Sequence, residues 1–327
     1  MENKKILEYR VGSHLYGTNV ETSDEDYSGI VLPTEEQVFG FEVLEEIDCS
    51  IHSKDSSGKN TFEARDIKFF ELRKFLKLAM ECNPNVIEQV FVNDENVLFE
   101  SEEGKLIRQN KHLFPYKGLS KKFLGYAYSQ RHKMEVKPQN YKELQETLKI
   151  LFDYVGTDNL ESLKNKEWIN NSKTYLVEIK DYLEENKAPV IFNDSYIKIG
   201  DLNIQKNIQI KQAIFQIDRR IKQAGSRTEL YLKHGFDSKF GMHVIRLMFE
   251  GLELLETGNL IFPLKDRQTL LDIRNGKWSL RQVIDYSEHL DNEVQKAVDK
   301  SPLLSKPNYE RIQDLCMIIL KKEFNNK

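Results

Sequence analysis

The hydrophobic period of the chain changes once, near residue 70, and that change limits the fold more than any other feature. Before it, ILEYRV at 6–11 and YSGIVL at 27–32 are short β-prone runs, the first closing on Gly12–Ser13 and the second on Pro33. TFEARDI at 61–67 reads as a third strand. Between them, GFEVLEEIDCSI at 40–51 reads as a short helix or edge element, and the polar SKDSSGKN at 53–60 as a hairpin or mobile loop. After it, Phe70, Leu72, Phe75, Leu76, Leu78, Ala79 and Met80 follow helical spacing. Pro84 disfavours helical geometry at Asn83 and stops that run, and residues 86–92 continue as a short helix or strand.

Beyond residue 101 helical periodicity dominates, over 121–133, 141–154, 207–224, 240–255, 279–297 and 309–323. Ile210, Ile214, Ile217 and Ile221 form one apolar stripe, as on an amphipathic helix packed in a bundle. VIFNDSYIKI at 190–199 interrupts the trend as a β-hairpin candidate. With 327 residues there is room for two domains. The predicted architecture is α+β: a small mixed-sheet domain over 1–100, then a larger, mostly helical domain over 101–327.

A net charge of -4 excludes bulk basic coating of nucleic acid, so an anionic ligand must meet a local basic patch. Cys49, Cys82 and Cys316 lie far apart, encode neither a disulfide framework nor a zinc knuckle, and fit a reducing cytoplasm. No apolar run reaches membrane-spanning length, so the expectation is a soluble protein with no membrane partner.

The chemistry concentrates in residues 12–26. Transfer of a phosphoryl or nucleotidyl group needs hard oxygen ligands for magnesium on a rigid element. In a strand, residues two apart share a face, so Asp24 and Asp26 can address one metal cluster while Glu25 points away. A third carboxylate on a neighbouring strand would complete a two-metal site. Asp66, read as ending the third strand before the helix, is the candidate, and Glu63, on the opposite face, the second choice. Gly12 lets the backbone approach a triphosphate closely, and Ser13 adds a hydroxyl donor. No Gly-Lys-Ser/Thr follows, so this is not a P-loop. An Asp-x-Asp pair alone is most often a solvated turn. The ordered combination with Gly-Ser and a later Asp is far more specific.

A second block, DSKFGMHVIRL at 237–247, offers Asp237 or Ser238 as a helix cap and puts Lys239, His243 and Arg246 on one face. Such a stripe can neutralise a triphosphate or an RNA phosphate, or it can be a solvated basic face. Tyr16 can stack on a base or pack in the core. His14 reads as a capping or surface residue, Lys74 as an exposed helix position or phosphate ligand, and Asn83 and Glu88 as structural. Arg274 can reach a phosphate or cap a helix C-terminus. Lys121, Lys122, Arg131, His132 and Lys133, interleaved with Phe123, Tyr126 and Tyr128, are the best RNA-facing candidates in the helical region.

Gly12–Ser13 followed by Asp24 and Asp26 resembles the signature of the DNA polymerase β superfamily of nucleotidyltransferases. With GSHLYG at 12–17, SDED at 23–26, LRKFL at 72–76, NPNVIE at 83–88, the 237–247 block, LLETG at 254–258 and IRNG at 273–276, the chain resembles the RlaP (YcgL-like) branch, associated with RNA repair. Residues from about 156 to 229 match no block, so 155–230 reads as a lineage-specific insertion. The resemblance implies transfer of NMP from an NTP to a hydroxyl with release of pyrophosphate, and an RNA acceptor, possibly tRNA. It implies two Mg²⁺ or Mn²⁺ ions: Asp24 and Asp26 would bind both, and Asp66 the catalytic one while helping to deprotonate the acceptor. Gly12 and Ser13 would hold the triphosphate, with Tyr16, Lys239, His243 and Arg246 completing the nucleotide site. The alternatives are nucleotidylation of a protein or small molecule, an Asp-x-Asp glycosyltransferase, and a non-catalytic nucleotide- or RNA-binding module.

Overall fold

The computed structural model describes residues 3–21, 23–53, 64–165, 170–223, 230 and 233–325. The expected polar loop at 53–60 lies, apart from Ser53, outside the described residues, as do 61–63 with Glu63. The chain divides into two compact units, 1–131 with 239–327, and 132–238. This division follows a different line from the expected boundary at residue 100, because the last 89 residues group with the first 131.

The first unit holds a mixed five-stranded sheet. Its strands are β1 (Lys5–Val11), β2 (Glu25–Val31), β3 (Glu46–Asp48), β4 (Arg65–Glu71) and β5 (Val97–Glu100), in the order β3-β4-β2-β1-β5. β1 pairs antiparallel with β2 and β5, and β3 with β4, whereas β2 and β4 run parallel. The α+β expectation is met. Ile6, Leu7, Tyr9, Ile30 and Leu32 are buried in the unit's core, as alternating and continuous apolar runs require. β3 supplies the edge element expected within 40–51.

The third strand is displaced from its expected position. It occupies Arg65–Glu71 and passes directly into the helix Leu72–Met80, so Phe70 belongs to the strand. The Glu71 side chain accepts hydrogen bonds from the N–H groups of Arg73 (3.0 Å) and Lys74 (3.2 Å), capping the helix. Leu72, Phe75, Leu76 and Ala79 then bury one face at helical spacing. Asn83 caps the next short helix, Pro84–Ile87, by accepting from the N–H of Asn85. The same unit contains the helices Ser238–Thr257, Arg267–Arg274, Leu280–Lys300 and Tyr309–Asn325, apart from Ser238 itself.

The two helices expected at 121–133 and 141–154 are one helix, Leu119–Val155, whose residues are shared between the units. The second unit has its own core. β6 (Val190–Phe192), β7 (Tyr196–Ile199) and β8 (Leu202–Gln205) form a three-stranded antiparallel sheet, one strand more than the expected hairpin. Ile197, Ile199 and Ile204 of this sheet cluster with Ile210, Ile214 and Ile217 of the helix Ile210–Lys222, and Ile221 packs at the edge.

Candidate active site

β2 and β4 pair in parallel register with Asp26 directly opposite Asp66. Each is the second residue of its strand, so Asp66 stands at the start of β4, not at its end as the sequence suggested. Asp24 lies just before β2. The three carboxylates line one small pocket with Ile51, His52, Ala64 and Arg65. Glu25 is turned elsewhere: its carboxylate accepts from the Tyr27 hydroxyl and stands 3.7 Å from Arg10.

Gly12 supports Asp26 from the neighbouring strand. β1 ends at Val11, opposite Asp26, and Gly12 opens the short helix Gly12–Tyr16 with φ +68. A Cβ at Gly12 would lie 2.5 Å from Asp26 Oδ2. Both the positive φ and the contact therefore select glycine. Gly12→Ala is expected to cost about 1–3 kcal/mol of stability by strain and to displace the Asp26 carboxylate. Thermal melts check it.

Burial, then the charges of Asp66 and Asp24, push the Asp26 carboxyl up to about 6, and Lys239 opposes the rise. Lys239, exposed in the first turn of Ser238–Thr257, is thus brought within electrostatic reach of Asp26. Asp66 is steadied by Ser50, whose hydroxyl donates to Asp66 Oδ1 at 3.0 Å while accepting the N–H of Ile67 at 3.1 Å. No sequence signal marked Ser50, since a serine between two strands has no motif of its own.

The donor chemistry suits a hard divalent cation: carboxylates only accept, and burial first, then the charges of Asp66 and Asp24, raises the Asp26 carboxyl. Among the described residues no group of three His, Cys, Asp or Glu side chains is placed so as to hold a metal ion.

The cationic stripe splits along the helix Ser238–Thr257. His243 is half-buried, and Arg246 is buried in an ion cluster. Arg246 Nη1 lies 2.8 Å from Glu88 Oε2 and 2.9 Å from Glu250 Oε1, and its guanidinium sits 4.3 Å from the centre of the Tyr16 ring. The Tyr16 hydroxyl donates to Glu88 Oε1 at 2.8 Å. Tyr16 and Arg246, expected at the nucleotide, are thereby turned into the core, because a guanidinium on a buried face must find carboxylates. Burial raises the Glu88 and Glu250 carboxyls, and the Arg246 charge opposes it. Ser13 is half-buried in the Gly12–Tyr16 turn, and its carbonyl accepts from the N–H of Thr18 at 2.9 Å. Lys74 pairs with Glu45 at 2.9 Å. Of the aromatic-basic face, Phe123 is buried, Tyr128 donates to Asp291 at 2.6 Å and Arg131 to Glu288 at 3.0 Å, and Lys121, Lys122, Tyr128 and His132 are exposed.

These features, a Gly turn under a carboxylate pair and a third carboxylate in register on a parallel neighbour, can be set beside known proteins. Residues 2–156 match the RlaP family, the RNA repair pathway DNA polymerase beta family. The RlaP match contains the whole five-stranded sheet and all three aspartates, and ends before Lys239, Arg246 and Arg274. A longer likeness reaches those residues. An uncharacterized 38.9 kDa protein in the nrdC-mobD intergenic region of Enterobacteria phage T4 is 26% identical over 307 residues, covering 90% of this chain and 89% of the phage protein. No solved structure matches.

Among the described residues, no helix is long and apolar enough to cross a membrane.

Proposed function

We propose that this protein transfers a nucleoside monophosphate from an NTP to a hydroxyl at an RNA end, tRNA among the candidate acceptors, with release of pyrophosphate. The observation that carries the reading is the register of β2 and β4, which sets Asp26 opposite Asp66 beside Asp24 and Gly12. The RlaP match supports nucleotidyl transfer in RNA repair as the class of activity.

Asp24, Asp26 and Asp66 would hold two Mg²⁺ or Mn²⁺ ions, which when bound neutralise the charge developing on the attacking and leaving oxygens. Gly12 and Ser13 present backbone and hydroxyl donors to the triphosphate. Lys239 adds a compact positive charge on the same side. Asp66, exposed and held at Oδ1 by Ser50, accepts the acceptor's proton at Oδ2. Lys121 and Lys122 offer exposed charge to an RNA backbone. The free cysteines, Cys49, Cys82 and Cys316, suit a reducing cytoplasm.

The test is to incubate the full chain with each α-labelled NTP, Mg²⁺ or Mn²⁺, and a panel of tRNAs and oligonucleotides. Label is expected on RNA with the wild type and absent with Asp24→Ala; equal transfer by the variant overturns the reading. Lys239→Ala is expected to raise the KM for NTP about tenfold, the equivalent of ~1.4 kcal/mol, with kcat nearly unchanged. An unaltered KM assigns Lys239 to the acceptor or to bare surface.

A further inference from the structure

Asp24 and Asp26 are held in different ways. Asp26 sits in a ladder on both sides, opposite Val11 of β1 and Asp66 of β4. Asp24 precedes the first paired residue of β2, so its position depends on the segment that leads into it. The described residues of that segment, 18–21 and 23, carry local bonds: Ser23 N–H donates to the Val20 carbonyl at 2.8 Å, and Val20 N–H to Ser23 Oγ at 2.8 Å.

One side chain reaches both ends of it. Arg274, in the last turn of Arg267–Arg274, donates from Nη1 to the Thr18 carbonyl at 2.7 Å and from Nη2 toward Ser23 Oγ at 3.4 Å. The neighbouring chain supports the same entry: Leu264 N–H donates to the Tyr16 carbonyl at 3.2 Å, and a Cβ on Gly17 would meet Pro263 at 2.8 Å and Arg267 at 2.9 Å. A planar guanidinium with fixed donor directions suits a two-point clasp, which an ammonium reproduces only in part. Burial lowers the Arg274 pKa, the expected direction for a cation removed from water.

We propose that Arg274 is a positioning residue for Asp24: by clasping Thr18 and Ser23 it fixes where that carboxylate enters the sheet, and so sets the affinity of the Asp24–Asp26 pair for a divalent cation. This rests on the reading of those aspartates as metal ligands. It assigns the guanidinium to the protein backbone and the Ser23 hydroxyl, not to a substrate phosphate. The sheet itself does not need the clasp, because β2 is paired from Glu25 onward on β4 and through Asp26 on β1.

The test measures Mn²⁺ binding to the full chain without nucleotide, by the spin resonance of free Mn²⁺, alongside label transfer. Arg274→Met is expected to weaken Mn²⁺ binding by about 10–100-fold, the range for residues that orient metal ligands. kcat should fall comparably, KM for NTP at saturating Mn²⁺ should hold, and Arg274→Lys should recover part of the loss. Ser23→Ala, which removes the Ser23 Oγ contacts with Arg274 and with the Val20 N–H and serves if Arg274→Met does not fold, is expected to weaken Mn²⁺ binding several-fold. Unchanged Mn²⁺ affinity in folded Arg274→Met, or in Ser23→Ala if the former does not fold, overturns the proposal. So does a raised KM for NTP with unchanged Mn²⁺ affinity, which would put Arg274 on the triphosphate. A wild type that binds no Mn²⁺ overturns it together with the metal site. Arg274-sensitive Mn²⁺ binding without label transfer to any acceptor supports the clasp and sinks only nucleotidyl transfer.

Discussion

Arg246→Met is expected to destabilise the protein by about 3–5 kcal/mol, the cost of breaking a buried ion cluster from one side. The guanidinium stands within 3.0 Å of both Glu88 and Glu250, all three side chains being buried, and covers the face of Tyr16. Methionine fills much of the volume but leaves two desolvated carboxyls facing each other. They can persist only by taking up protons, so their pKa values rise further than burial already raises them. The sign follows from linkage: a carboxyl raised in the folded state holds stability below its ordinary pKa and loses it as pH climbs through the raised value. Urea unfolding of the variant should therefore show a larger deficit at pH 8 than at pH 5. Adding Glu88→Gln and Glu250→Gln should recover part of it. A deficit under about 1 kcal/mol, the level of exposed pairs, would show that Arg246 is not in this cluster in solution.

Asp26→Asn is expected to act in opposite directions on activity and stability. Nucleotidyl transfer should fall by on the order of 10³ or more, because a ligand of the proposed cation and the charge it carries are both lost. Stability at pH 7.5 without divalent ions should rise. The Asp26 carboxyl is lifted to about 6 by burial and by Asp66 and Asp24. The folded wild type therefore loses stability as pH rises from about 4 through 6, and a neutral side chain avoids that loss. A two-unit lift has a ceiling of ~2.7 kcal/mol; the group remains partly open to solvent, which reduces the expected gain to about 1 kcal/mol. Adding Mg²⁺ above pH 6 should raise the melting temperature of the wild type and leave Asp26→Asn nearly unmoved. Equal Mg²⁺ shifts would remove Asp26 from the metal site.

Local chemistry in the sequence was enough to single out the segment that the structure brings together with Asp66. Gly12 is held by a positive φ and a close carboxylate, and Asp26 by its place in β2; Asp24, expected on the same strand face, lies just before the strand. Asp66 stands at the start of its strand and not at its end: apolar periodicity does not fix register, and only the parallel pairing sets Asp66 opposite Asp26. The stripe of Lys239, His243 and Arg246 divides, with Lys239 exposed and Arg246 buried, for a related reason. Helical spacing says which residues share a face, not which face is buried. Here Phe240, Met242, Val244, Ile245, Leu247 and Met248 are all buried, so the helix is enclosed nearly all round and its arginine needs partners. Glu250, one turn on from Arg246, was the readable hint. Ser50 and the clasp by Arg274 had no such hint, because each depends on a contact between distant parts of the chain.

The compact unit that carries the aspartates is discontinuous, made from both ends of the chain around residues 132–238. A ribosome therefore releases Asp24, Asp26 and Asp66 long before Lys239, whose charge opposes the rise of the Asp26 carboxyl, and before Arg274, which bonds to Thr18 and Ser23 ahead of Asp24. The unit is complete only once the residues beyond 239 have been made. A chain cut between residues 66 and 239 would keep the three aspartates and lose the second half of the compact unit that carries them.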